Sequence, residues 1–257
     1  MINVTDLTKY LFCPYGFYAE KVLKVKVPHT SEMVKGSIIH RIEEVIAKKD
    51  AGIVSLVTPE MSEREISELL YENWKRIIKR EVLRRREDLE TAGEDHISFI
   101  KGLKHSFRNE AIVRGIKMKE IIGREEFRLY ETLTEERVED EGLGLRGVVD
   151  RIEIIEGHHI PVEIKSGIPS LSKLHKLQLA AYVMLCERKY GEEIPFGFLF
   201  FTMLDDKIAI FLTEDLREDV LEIRNEVEKV LGGFIPERIR RKNCENCKYF
   251  NFCFGEE

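Results

Sequence analysis

The hydrophobic period of this chain changes at Gly123, and that change limits the possible folds more than any other feature. Before it, apolar residues recur at helical spacing: Met33, Val34, Ile38, Ile39, Ile42, Val45 and Ile46 within Ser31 to Lys49, then Ile66, Leu69, Leu70, Trp74, Ile77 and Ile78. After it the residues alternate as on strands. Glu126 to Glu131, Leu143 to Ile155 and Ile160 to Lys165 are the predicted strands, with Gly157-His158-His159 as the turn between the last two. A helix over Leu171 to Tyr190 follows, with Leu174, Leu177, Ala181 and Leu185 along one stripe. Phe196 to Thr202 and Lys207 to Thr213 are two further strands around a Leu204-Asp205-Asp206 turn. Glu214 to Leu231 is a helix stopped by Gly232-Gly233. This order, helices then three strands, a helix, two strands and a helix, is that of an α/β domain with a mixed central sheet.

A chain of 257 residues buries one substantial core, or one core with an appended module. Thr5 to about Lys26 reads as two short helices broken at Cys13-Pro14. The polar helical region 62–122 is interrupted at Thr91-Ala92-Gly93-Glu94-Asp95. No Pro-rich or Gly/Ser-rich linker sets it apart, so it is expected to be a helical insertion within a single domain, 1–257. No apolar run approaches bilayer length, and Met1-Ile2-Asn3-Val4 lacks the basic start of a leader, so a cytoplasmic chain with no membrane partner is expected. Net charge is −6, which excludes a global positive field for nucleic acid. A DNA partner would be held by bound metal or by local clusters, of which Arg84-Arg85-Arg86 and Arg238 with Arg240-Arg241-Lys242 are the candidates.

Asp150 lies on the Gly147-Val148-Val149-Asp150 strand, and Glu163 and Lys165 stand two apart on the next, sharing a face. Two charges on a strand otherwise built from Ile160, Val162 and Ile164 need partners. Antiparallel pairing brings Asp150 beside Glu163, and two hard carboxylates so placed hold Mg²⁺ or Mn²⁺. Such an ion activates water against a phosphodiester, and Lys165 is placed to orient that water or to stabilise developing charge. Glu-x-Lys alone carries little weight, because Glu187-Arg188-Lys189 repeats it at the polar end of a helix, where a solvated pair is expected. A structural salt bridge is the bland account of the first copy. Gln178 and Tyr182, at i and i+4, face the same way on the following helix, and His40 lies one helical turn after Gly36. Each of these singly has an ordinary packing explanation.

Taken in order, Gly36-x-x-x-His40, Asp150, Glu163-x-Lys165 and Gln178-x-x-x-Tyr182 resemble the RecB-like branch of the PD-(D/E)XK nucleases, with Val149 where proline is common. The resemblance implies a restriction-endonuclease-like core. It also implies His40, Asp150 and Glu163 as metal ligands, with the carbonyl of Ile164 as a further one. Lys165 becomes the catalytic lysine, and Gln178 and Tyr182 organise the site and contact DNA.

Of five cysteines, Cys244, Cys247 and Cys253 are clustered, Cys13 stands far off, and Cys186 reads as a small buried apolar residue. In a reducing compartment such a set favours metal over disulfides, and Cys13 is the candidate fourth ligand. Four thiolates suit zinc or an iron–sulfur cluster, and spacing leaves that choice open. The arrangement resembles the CRISPR-associated RecB-like exonucleases over almost the whole chain outside 62–122. That resemblance implies a [4Fe–4S] cluster, with [2Fe–2S] as the alternative, joining the 236–257 segment to Cys13. It further implies an exonuclease on single-stranded DNA ends that trims DNA for spacer acquisition beside CRISPR integrase proteins, with homo-oligomers admitted. Tyr10, Phe12, Tyr15, Phe17, Tyr249, Phe250 and Phe252 surround the cysteines, where packing is favoured over base stacking. The alternatives are a free-standing repair or recombination nuclease and, in a different class, a non-catalytic DNA-end-binding adaptor.

Overall fold

The computed structural model describes residues 1–27, 31–54, 56–122, 131–165, 171–201, 206–242 and 244–255. The chain opens with a two-residue strand β1 (Ile2–Asn3), then α1 (Val4–Phe12) and α2 (Pro14–Lys21). Cys13 separates the two helices, with its sulfur accepting from Gly16 N at 3.3 Å and Pro14 at the first helical position. A helical layer follows: α3 (Ser31–Val54), α4 (Glu63–Arg84), α5 (Arg86–Thr91) and α6 (His96–Ile122). α4 starts with a reciprocal capping box between Ser62 and Glu65.

The sheet is mixed. β2 (Glu131–Asp140), β3 (Leu145–Ile155) and β4 (His158–Lys165) run antiparallel to their neighbours in turn. Helix α7 (Lys173–Tyr190) then carries the chain over to β5 (Phe196–Phe201), which pairs parallel to β4. β6 (Asp206–Phe211) returns antiparallel, and α8 (Glu214–Leu231) packs on α7 and α1. The order is β1-β3-β4-β5-β6, with β2 along the other side of β3. This is the expected mixed α/β sheet with flanking helices.

Several local expectations change. The β3–β4 turn is Glu156-Gly157, with φ of 52° and 87°, and not Gly157-His158-His159. Ile155 pairs with His158, so this is a two-residue hairpin loop of the kind that needs two left-handed residues and matches strand twist. The predicted strand Glu126–Glu131 and most of the Leu204-Asp205-Asp206 turn fall outside the described residues. β2 was not foreseen: Val138 is its one fully buried apolar residue, and charged edge strands give little alternation to read.

Among the described residues two large hydrophobic clusters and a small one, Val162, Ile164 and Phe200, hold the molecule. The larger packs α1, α7 and α8 on the sheet through Val4, Leu7, Phe17, Leu145, Ile152, Leu177, Leu185 and Val227. The second lies within the helical layer around a fully buried Trp74 and includes Val34, Ile38, Ile42, Val45 and Ile46 of α3. α3 thus belongs to one core while one of its faces borders the other.

Candidate active site

Asp150 sits on β3 where the register pairs Arg151 with Val162, one step from Glu163. Its Oδ2 accepts from Ile164 N at 2.9 Å. A strand residue presents its N–H and C=O to the same edge, so the Ile164 carbonyl also faces the Asp150 side. Glu163 and Lys165, on one face of β4, meet at 3.0 Å. Gln178 joins both from α7, donating Nε2 to Glu163 Oε1 at 2.7 Å and accepting from Lys165 Nζ at 2.8 Å.

Burial dominates the electrostatics here. Glu163 is buried, which pushes its carboxyl up to about 7; the Asp150 charge pushes the same way and Lys165 opposes. Burial likewise raises Asp150, against the Ile164 N–H and Lys48. Among the described residues Glu163 Oε2 is buried without a hydrogen-bond partner. Two carboxyls whose proton affinity is raised by burial and, at Glu163, by the other's charge, with one orphaned oxygen, fit a divalent cation: the ion would be the partner that oxygen lacks and would offset the repulsion.

Tyr182 is 3% exposed, and its ring lies against β3 at Gly147, where an added Cβ would stand 2.6 Å from Tyr182 Cε1. Burial, then the Glu163 charge, raises its phenol. Gln178 and Tyr182 are both buried in the metal-free, DNA-free chain, with Gln178 bonded to Glu163 and Lys165.

His40 is on α3 with Nε2 2.9 Å from Glu44 Oε1. That hydrogen bond raises its pKa against burial, with the Asp150 charge adding to the rise. His40 is thus at the site, but one ring nitrogen is engaged by Glu44, and metal ligation through it requires that contact to be exchanged. Three functional-looking residues were not foreseen: Glu44, Lys48 and Glu135. Burial works to raise Glu44, but hydrogen bonds from His40 and Arg41 and the Lys48 charge overcome it and hold the carboxyl at about 2. Lys48 has its ammonium 3.1 Å from Glu135 Oε1 and 3.8 Å from Asp150 Oδ1. His40, Glu44 and Lys48 recur every fourth residue, a helical-face signal that was available in the sequence.

Cys13 lies with the C-terminal cysteines. Burial and then the neighbouring Cys13, Cys247 and Cys244 raise the Cys253 thiol, so the four sulfurs form one neighbourhood. Backbone N–H groups of Gly16, Arg241 and Tyr249 point at the sulfurs of Cys13, Cys244 and Cys247 at 3.3, 3.1 and 3.4 Å. A cavity of about 460 Å³ is lined by those three cysteines with Phe12, Leu174 and Arg241. Among the described residues no three His, Cys, Asp or Glu side chains stand in a metal-coordinating arrangement. Cys186 is buried, which raises its thiol to about 12 and leaves it inert.

Arg84, Arg85 and Arg86 pair with Glu81, Asp88 and Glu90, an ion-paired helix face. In the tail, Arg238 and Arg240 lie over Phe254, and Arg241 bonds the Phe12 carbonyl. Tyr15 stacks on Phe252 and Tyr249 is buried, as packing aromatics do, whereas Phe12 is exposed. No helix among the described residues is long and apolar enough to cross a membrane.

The family model of the PD-(D/E)XK nuclease superfamily matches residues 1–254. A curated relative, "CRISPR-associated exonuclease Cas4" of Thermoproteus tenax, is 28% identical over 42% of this chain and 59% of its own length. The protein of the same name from Francisella tularensis subsp. novicida is 28% identical over 42% of this chain and 56% of its own. "CRISPR-associated exonuclease Csa1" of Saccharolobus solfataricus is 27% identical over 37% and 35%. The chain spans little more than half the length of the first of these, and less of the last. Among solved structures, SSO0001 aligns with 67% of this chain and 80% of its own at 15% identity, with a TM-score of 0.32, too low to bear on the fold.

Proposed function

Because the chain belongs to the PD-(D/E)XK nuclease superfamily, we propose that it is a divalent-metal-dependent exonuclease that degrades single-stranded DNA ends and trims DNA for CRISPR spacer acquisition. The observation that carries this reading is the Asp150–Glu163–Lys165–Gln178 network with its orphaned Glu163 oxygen. Nucleases of this superfamily use divalent metals. Mn²⁺ or Mg²⁺ supplies polarisation of the phosphodiester and a more acidic water.

The residues divide the remaining work. Asp150 and Glu163 would hold the ion, with the Ile164 carbonyl on the same edge and His40 as a further ligand if its contact with Glu44 were exchanged. Lys165, held by Gln178, presents its ammonium to the charge that builds on the phosphate oxygen. Tyr182, wedged on Gly147, fixes the distance between α7 and β3 and so keeps Gln178 in register with β4.

The proposed domain is a single nuclease unit, 1–257, with 62–122 as an insertion and 236–257 joined to Cys13 through a [4Fe–4S] cluster, [2Fe–2S] being the alternative. N–H donors aimed at three of the sulfurs support thiolate ligands there, as does the cavity beside them. The cluster would tie the chain's two ends together, and binding it is folding free energy. The names of the curated relatives support a CRISPR-associated exonuclease; the spacer-acquisition role, integrase proteins as partners, a cytoplasmic setting and homo-oligomers belong to the proposal.

End-labelled single-stranded DNA incubated with Mn²⁺ tests the activity: stepwise shortening is expected, abolished in Asp150→Ala with DNA binding kept. Undiminished cutting by that variant refutes the site, and binding without cutting by the wild type selects the adaptor. Anaerobic purification should give brown, iron-containing protein; a colourless, zinc-loaded and active protein refutes the cluster. Spacer uptake unaffected by deleting the gene selects the repair reading.

A further inference from the structure

Lys48 has a side chain 12% exposed, yet its position on α3 places the ammonium among carboxylates. His40, Glu44 and Lys48 lie at i, i+4 and i+8, so one helical face runs along the site. A sunken ammonium needs charged partners. Among the described residues Lys48 forms ion pairs with two, on different strands, Glu135 of β2 at 3.1 Å and Asp150 of β3 at 3.8 Å. Its charge also acts on Glu44 of its own helix. The longer contact is the weaker, and it is made to a proposed metal ligand.

Glu135 is built for this position. Thr134 pairs with Arg151 and Glu136 with Val149, so Glu135 stands across from Asp150. Its φ is 54°, a left-handed conformation uncommon for a residue with a side chain and found where a site imposes it. Its Oε1 also meets Arg41 at 3.4 Å. Lys165, by contrast, is engaged by Glu163 and Gln178 on the other side of the site. Among the described residues the ion pair seen at Asp150 is with Lys48, and the Lys165 charge acts on Asp150 from farther off.

We propose that Lys48 is the resident counter-cation of the metal site: shared between Glu135 and Asp150, it balances the carboxylates when no divalent ion is bound and yields Asp150 to the ion when one binds. Lys48 and Glu135 then act together as positioning residues that set metal affinity. This rests on the reading of Asp150 and Glu163 as metal ligands. Displacement moves no proton and breaks no bond. The ammonium shifts wholly to Glu135, which is already its closer partner.

The test is Mn²⁺ titration of the metal-free full chain without DNA, by calorimetry and by the loss of free-ion paramagnetic signal. The wild type is expected to bind, and Asp150→Asn to lose that binding; if wild-type affinity is indifferent to Asp150→Asn, the metal-site reading itself fails. Lys48→Met, which removes the competing charge, is expected to bind Mn²⁺ roughly tenfold more tightly, given what a nearby unit charge is worth at a partly buried site. A merely structural lysine would give unchanged or weaker binding, and either result overturns the proposal. Glu135→Gln takes away the closer ion-pair partner of Lys48, turning it towards Asp150, and is expected to weaken binding severalfold. In the Lys48→Met background the same change is expected to have little effect. If the Glu135→Gln weakening persists there in full, Glu135 acts by its own charge and the proposal is wrong. Lys48→Arg keeps the charge and should bind as the wild type does, which preserves the test if Lys48→Met misfolds.

Discussion

The chain contains the tripeptide Glu-x-Lys at Glu163-Ile164-Lys165 and again at Glu187-Arg188-Lys189, and the two copies have different fates. On β4 the outer residues share a face, and their side chains meet at 3.0 Å. On α7 a separation of two residues points them apart. Glu187 is held by both nitrogens of the Arg217 fork, at 2.6 and 2.7 Å, and accepts from Ile194 N. Lys189 turns instead to Glu136 and the Arg137 carbonyl. The second copy is therefore not the solvated pair that the sequence suggests but two separate structural anchors. A reactive motif is thus a property of secondary structure as much as of residue type. The strand makes a pair, and the helix dissolves it.

The largest expected contrast is in activity. Lys165→Ala should reduce DNA cleavage by roughly a hundred- to ten-thousand-fold, whereas Lys189→Ala should leave it within about twofold, measured on the same labelled substrate. Equal losses in the two would erase the distinction. Stability should reverse the ranking: Glu187→Ala breaks a half-buried bidentate pair and should cost about 1–3 kcal/mol in chemical denaturation with cleavage intact.

Glu163 differs from Glu44 in the sign of its pH dependence. Between the ordinary value of 4.5 and about 7, the native state holds a proton at Glu163 that the unfolded chain has released. Stability of the metal-free protein should therefore fall as pH rises through that window. Glu44, held at about 2, contributes stability that is lost as pH falls from 4.5 towards 2. Melting temperatures without metal should peak where the windows meet, and Glu163→Gln should remove the decline on the neutral side. A melting profile that rises steadily to neutral pH would contradict this picture. The smallest effect is reserved for Lys189→Ala, a partly exposed anchor worth less than about 1 kcal/mol in the same denaturation measurement.

Much of this was readable because strands report their faces directly. Alternation put Glu163 and Lys165 on one face, and antiparallel pairing of the two strands put Asp150 beside them. The Gln178/Tyr182 spacing set two polar groups on one face of the next helix. The register itself follows from the Glu156-Gly157 turn, one residue away from the expected one. What escaped has physical reasons. β1 has two residues, too few to show a period. β2 is so charged that Glu135 looked like any surface acid, and only its left-handed backbone and its place opposite Asp150 distinguish it. Glu44 and Lys48 were legible as one helical face with His40, yet charged residues at that spacing are common on solvated helices. The depth to which Lys48 is sunk requires coordinates. The burial of Tyr182 is likewise tertiary: it follows from the missing side chain at Gly147, far away in the chain.

The double allegiance of α3 has a mechanical consequence. Ile38, Ile42 and Ile46 anchor it among the other helices, while His40, Glu44 and Lys48 on another face border β2 and β3. The site therefore lies at a seam between the cluster of the helical layer and the sheet, bridged by Lys48 and Arg41 to Glu135. A tighter seam is expected to make the two clusters melt as one, and a looser one to let the helical layer open first. Calorimetric cooperativity, more than the melting point itself, would then report how firmly the seam is closed.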